Sequence, residues 1–451
     1  MNTPIDDFVK KYAEGGEPCG ALRLHMPGHK GVGDIERFDI TEISGADSLY
    51  EADGIIAESE RNAAALFGAH TFYSAEGSSL CIRAMLYLVA LYAAEKGQKP
   101  RMAAGRNAHK TFVSALCLLD MDVDWLMPGG ASYLSCPLTP EYIEQYLRSA
   151  SPLPTAVYLT SPDYLGNTVD IAGICAVCHR YGVLLLVDNA HGAYLKFLPE
   201  SRHPIDLGAD MCCDSAHKTL PALTGAAYLH ISPQACDGFR SLALARVRDA
   251  LALFGSTSPS YLILASLDRT NLYISQGYLA SLAEFVGQVD ELKKTLSDRC
   301  FGMVGDEPLK LTLAPKSYGY TGDELAALLR REGIEPEFCD PDHLVLMLTP
   351  SLGDGALPRL LEALCSVPRR EPVALTPPAA PRLPERVMSV REAMMAPAEV
   401  IDADACVGRV LAAVTVGCPP AVPIVVSGER MDENVRAAFR YYGIKKCTAV
   451  K

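Results

Sequence analysis

Between Gly54 and about residue 230 the chain repeats one pattern: a short apolar run, a turn, then a longer stretch with apolar residues three and four apart. The runs at 156–159 (AVYL), 183–187 (VLLLV) and 226–230 (AAYLH) are short and almost uniformly apolar, as strands buried on both faces are. The stretch 171–181 carries helical periodicity, as does GIIAESERNAAALFG, which stops at Gly68. Buried strands alternating with helices fold as an α/β layer around a mixed, mostly parallel sheet.

At 451 residues the chain exceeds what one hydrophobic core supports, so further domains are expected. Residues 1–53 read as an irregular N-terminal arm dense in turn residues, and 54–299 as the large domain. Residues 300–367 read as a small α+β domain with strands at 309–313, 335–339 and 343–348. Its helices run from a Thr321–Glu324 capping box to Arg331 and over 357–364. A proline-rich linker spans 368–386, and 387–451 regains apolar content as a C-terminal α+β domain.

With 41 basic and 54 acidic residues the net charge is −13, which disfavours nucleic acid and anionic membranes and favours small cationic ligands. No apolar run reaches the roughly 18–20 residues that cross a bilayer, and the N-terminus lacks the features of a secretory signal; the expected location is the cytoplasm. The 15 cysteines then read as reduced thiols. Cys175 and Cys178 have CxxC spacing but no second pair, and read, like Cys212 and Cys213, as small packed residues. No metal site is expected.

Ligands of open α/β sheets bind beyond the carboxyl ends of the strands, and two strand ends here carry unusual groups. Asp188 follows VLLLV directly, where a carboxylate needs a positive partner such as a protonated ring nitrogen. Lys218 lies in DSAHKTL, where partial desolvation makes an amine nucleophilic, with Ser215 and His217 beside it as anion ligands. Upstream, Gly77, Ser78 and Ser79 open a long apolar helix whose first N–H groups face any anion placed there. His109 opens another helix and offers a ring to stack. Each feature has an ordinary reading as a cap or surface charge; together they are the parts of a pyridoxal phosphate (PLP) site.

The segments LHMPGHKG, DITEISGADSLYEADGIIAESE, RNAHKTF, SPDYLGNTVDIAG, VDNAHGAY, DSAHKTLPALTG, GSTSPSYLILASLD, REAMMAPAEV and PPAVPIVVSGE occur in that order along nearly the whole chain. In these the sequence resembles the Orn/Lys/Arg decarboxylases, PLP-dependent enzymes of fold type I, in their short Gram-positive-type form. The resemblance implies an aspartate aminotransferase-like large domain and decarboxylation of a basic amino acid to an amine and carbon dioxide. Arginine comes first as substrate, then lysine or ornithine. It also implies the roles: Lys218 as the Schiff-base lysine, Asp188 on the pyridinium nitrogen, His109 stacked on the ring and Ala190 under it. His191 would lie near the cofactor or substrate, and Gly77, Ser78, Ser79, Ser215 and His217 at the phosphate. Ser256 and Thr257 would reach a phosphate across a homodimer interface. Glu429, Asp163 and Glu76 are the carboxylates proposed for the cationic end of the substrate.

Five positions depart from the family's usual residues: Glu76 for asparagine, Asn189 for glutamate, Gly225 for glutamine, Cys418 for tyrosine and Asp163 for a small hydroxyl residue. The changes at 76 and 189 read as an exchange of one carboxylate between neighbouring loops. Two other readings stay open: another PLP-dependent reaction such as transamination, and a PLP-binding regulatory paralogue without turnover.

Overall fold

The structure is a computed structural model, which describes residues 1–15, 22–130, 132–374, 382–414 and 421–451. Its strands are β1 (His70–Ser74), β2 (Arg101–Gly105), β3 (Asp122–Leu126), β4 (Ala156–Thr160), β5 (Leu184–Asp188), β6 (Met211–Asp214) and β7 (Ala227–Ile231). They continue with β8 (Gly302–Val304), β9 (Lys310–Ala314), β10 (Phe338–Cys339), β11 (Leu344–Met347), β12 (Ala398–Asp402), β13 (Leu411–Ala413) and β14 (Lys446–Val450). The chain forms two compact units, one of residues 1–98 with 184–281, the other of 99–183 with 282–451.

In the first unit the strands run in the order β1-β7-β6-β5. β5 and β6 are parallel, with Asp188 opposite Cys213. β7 is antiparallel to both β6 and β1, and pairs Cys212 and Thr71 with His230. Every residue of β5, β6 and β7 is buried, as their apolar composition predicts. The helix Gly77–Glu95 packs on Asp237–Phe254 and on β6 and β7. At 19 residues it is long and apolar enough by composition to cross a membrane, contrary to the expectation that no such run exists, but more than half of it is buried inside the protein.

The N-terminal arm also differs from expectation. Pro4–Ala13 is a helix, burying Ile5, Val9 and Tyr12. Their spacing is helical, but the local N-cap residue Thr3 makes no capping bond to the backbone. The cap comes from Asp268, whose Oδ2 accepts from Ile5 N–H at 3.0 Å and Asp6 N–H at 3.1 Å.

In the second unit β2 lies between β4 and β3, parallel to both. A small antiparallel sheet has the order β10-β11-β9-β8. The capping box opens the helix Gly322–Arg331 as read from sequence, Thr321 and Glu324 each bonding the other's backbone N–H. Of the strand expected over 335–339, only Phe338–Cys339 forms. The C-terminal segment is a sheet of order β12-β14-β13 with its own core, which includes Leu411, Met431, Val435, Phe439 and Cys447. Cys175 and Cys178 are buried thiols on the helix Ile171–Arg180.

Candidate active site

Two parallel strand ends of the first unit carry the reactive groups. β6 ends at Asp214, and the chain turns through buried Ser215 into a single helical turn, Ala216–Thr219. Lys218, partly buried on that turn, places Nζ 2.9 Å from Nε2 of buried His191. His191 comes from the loop after β5, which begins with Asp188. The Asp188 carboxylate is buried, and its Oδ1 accepts from Ala190 N–H at 3.2 Å, with the Cys213 thiol 3.8 Å away. A lysine amine, an imidazole and a buried carboxylate thus arise from two adjacent strand ends.

Gly77 and Ser78 begin the nineteen-residue helix, whose first turn holds no acidic residue beyond its N-cap Glu76. Ser215 Oγ donates to Ser78 Oγ at 2.8 Å, joining the helix start to the lysine turn. Gly77 has φ +69°, and a Cβ there would come within 4.0 Å of the His217 ring. That contact is ordinary, and it is the left-handed φ that favours glycine there. His217 Nδ1 lies 2.9 Å from Ala226 O, so Nδ1 is the protonated nitrogen. Gly225 O accepts from Gly77 N–H at 2.7 Å, and a Cβ on Gly225 (φ +99°) would meet Ala75 O at 2.9 Å. The departure at 225 is therefore required by this cradle's own backbone.

The N-cap residue Glu76 is exposed and turned outward, its Oε1 accepting from Ser256 N–H at 2.6 Å. Ser256 and Thr257 are themselves exposed. Asn189 instead donates to Asp214 Oδ1 at 2.7 Å. The carboxylate beside Asn189 is Asp214, so the expected exchange between positions 76 and 189 is not what the structure contains. Cys418 lies outside the described residues.

Ser79 follows Ser78 on the same helix, while His109, Asp163 and Glu429 lie in the second unit. His109 is the N-cap of the helix Lys110–Leu119, its Nδ1 accepting from Thr111 N–H at 3.2 Å. Asp163 is buried and closes its own turn, accepting from the Leu165 and Asn167 N–H groups at 2.9 Å each and from Asn167 Nδ2. Burial pushes its carboxyl above the ordinary range. Glu429, also buried and pushed up by burial, accepts from Arg106 Nη2 at 2.9 Å and from Val426 N–H at 2.7 Å. The sequence reading missed Arg106 and the buried trio Asp214, His203 and His230; Asp214 stood inside the quoted DSAHK motif as a second strand-end carboxylate.

Comparison with known proteins fixes the family. Residues 30–304 match the Orn/Lys/Arg decarboxylase major domain, and 374–448 match the C-terminal domain. The chain belongs to the Orn/Lys/Arg decarboxylase family. Members of this PLP-dependent amino-acid decarboxylase family use PLP as cofactor. The chain is 30% identical to an arginine decarboxylase of Bacillus subtilis, over 97% of this chain and 93% of that protein. It is 29% identical to YaaO, an uncharacterized protein of the same organism, over 99% and 95%. Lysine decarboxylase A from Pseudomonas aeruginosa (TM-score 0.79, 18% identity, 99% of this chain and 80% of that one) shares the fold. So does the constitutive lysine decarboxylase of E. coli (TM-score 0.76, 18% identity, 100% and 82%). The fold is thus that of the fold-type-I decarboxylases.

Proposed function

We propose that this protein decarboxylates a basic amino acid, arginine before lysine or ornithine, with PLP held on Lys218. The observation that carries the reading is the 2.9 Å contact between Lys218 Nζ and His191 Nε2 beside the Ser78–Ser215 cradle. The donor set suits PLP. Ser78, Ser79, Ser215, His217 and the helix start at Gly77 suit a phosphate. Buried Asp188 suits a ring nitrogen, with Ala190 beside it. His109 is assigned to the ring face, and Ser256 and Thr257 to the phosphate of the other copy in a homodimer.

When bound, PLP supplies the electron sink that accepts the electron pair of the breaking Cα–carboxylate bond. Asp188 holds the proton on the ring nitrogen. The Lys218 amine and His191 imidazole stand 2.9 Å apart, so both are placed to deliver the proton that Cα takes up after carbon dioxide leaves. Arginine is favoured by the likeness to the Bacillus subtilis arginine decarboxylase, and the net charge of −13 suits any cationic substrate. Of the three carboxylates considered for its cationic end, Glu76 alone is solvent-exposed.

Purified protein with PLP, offered arginine, lysine and ornithine, should release carbon dioxide and amine in equal amounts, fastest from arginine. Lys218→Ala should lose at least about a thousandfold in rate. Amine formation that depends on an added keto acid, or no release from any of the three, would overturn the proposal.

A further inference from the structure

On the first unit's sheet, successive side chains point to opposite faces. Asp214 and Asn189 therefore face away from Cys213 and Asp188, into a wholly buried polar cluster. Asp214 Oδ1 accepts from Asn189 Nδ2 at 2.7 Å, and its Oδ2 accepts from His203 Nε2 at 3.0 Å and His230 Nε2 at 3.2 Å. Thr71 Oγ1 lies 2.9 Å from His230 Nδ1 and donates to it. Asp214, His203 and His230 are each 0% exposed. Burial alone would push the Asp214 carboxyl up, but His203 and His230 beside it more than offset that and hold it well below the ordinary carboxylate range. The cluster is a buried anion with three donors. It has the residue types of a metal site, but both imidazoles point the same kind of nitrogen at one shared oxygen, at hydrogen-bond distances. These bonds occupy the Asp214 carboxylate, while His203 Nδ1 and Asn189 Oδ1 have no hydrogen-bond partner among the described residues.

The anion bridges two strand ends. On one side the turn 189–192 wraps around Asn189: Asn189 N–H donates to Cys213 O at 3.0 Å and Gly192 N–H to Asn189 O at 2.8 Å. A Cβ on Gly192 would fall 2.0 Å from Asn189 Oδ1, so the turn closes directly onto that amide. This turn carries Ala190 and His191. On the other side Asp214 precedes Ser215, whose carbonyl accepts from Lys218 N–H at 3.0 Å.

We propose that Asp214 is a positioning residue: one buried anion that locks the Asp188–His191 turn to the Ser215–Lys218 turn and so sets the contact between the lysine amine and His191. The proposal rests on the assignment of Lys218 and His191 above, and its test begins without cofactor.

Hydrogen exchange should be followed in the cofactor-free wild type, Asp214→Asn, Asn189→Ala and the exchanged pair N189D/D214N. In Asp214→Asn, segments 188–192 and 214–219 should exchange about tenfold faster or more, while β1 and the helix Gly77–Glu95 keep their protection. The exchanged pair returns one carboxylate and a complementary hydrogen bond, and should recover protection to within about threefold of wild type. A uniform rise across the first unit, or a double variant no better than Asp214→Asn, would reduce Asp214 to an ordinary core residue. Should Asp214→Asn fail to fold, Asn189→Ala decides, because it keeps the anion and both imidazoles. It should quicken 188–192 selectively, and unchanged exchange there overturns the proposal. With PLP added, the pH midpoint of the lysine-bound cofactor's visible band should move in Asp214→Asn and return in the exchanged pair. A wild type that never forms the band removes the assignment of Lys218 and leaves the exchange arm to judge Asp214.

Discussion

Position 189 tolerates an amide because the carboxylate already stands at 214. The 2.7 Å bond from Asn189 Nδ2 to Asp214 Oδ1 pairs a donor with an acceptor in a site without water-exposed surface. Asn189→Asp would place two carboxyls at that distance, and one of them must hold a proton. That group's pKa in the folded state would lie above its unfolded value of roughly 4. Its stabilising contribution is full below the unfolded value and is lost as pH rises through the raised one. Asn189→Asp should therefore approach wild-type stability at about pH 4 and below and fall about 2–4 kcal/mol short of it near pH 8, measured by urea unfolding. A deficit independent of pH would contradict this. The sequence made Lys218 and Asp188 legible because each follows an apolar run. It could not reveal Asp214's role, since its partners Asn189, His203 and His230 lie 25, 11 and 16 residues away, on two loops and a neighbouring strand that only the tertiary fold brings together.

Elements were readable where their signals are local. The Thr321–Glu324 capping box and the apolar runs of β4, β5 and β7 were placed within about one residue, because cap, periodicity and burial agree within a short window. The helix Pro4–Ala13 went unread although Pro4, Asp6, Asp7, Lys10 and Lys11 are local helix signals; only its cap, Asp268, is distant, by more than 260 residues. Asp268→Ala should cost about 1–2 kcal/mol, seen as roughly tenfold or greater loss of amide protection confined to residues 4–13. Burial pushes the Asp268 carboxyl up from 3.8 to about 6. A folded value above the unfolded one makes its contribution full below about pH 4 and diminishing as pH rises through about 6. Protection of this helix should fall over that window in the wild type and stay flat in Asp268→Asn. A wild type flat between pH 4 and 7 would show that the carboxyl stays ionised throughout.

At the scale of the molecule, the sequence indicated several domains but not that residues 99–183 and 282–451 form one compact unit, because local patterns mark elements and not which distant elements share a core. Arg106 and Glu429 show what such sharing does. They stand 323 residues apart, each side chain is 4% exposed, and their contact is 2.9 Å. Among the described residues Arg106 has few other acceptors: Ile424 O lies at 3.4 Å, and its Nε and Nη1 have no hydrogen-bond partner. A buried pair of this kind contributes modestly in itself, whereas removing one member strands a charge in a low-dielectric interior. Glu429→Ala should therefore cost about 3–5 kcal/mol. Replacing both residues by apolar side chains, as in R106M/E429L, should cost less than either single truncation, because no charge is left uncompensated. Urea unfolding of the wild type, Glu429→Ala, Arg106→Ala and R106M/E429L orders these values. A double variant less stable than both singles would mean that the pair contributes far more than its burial costs.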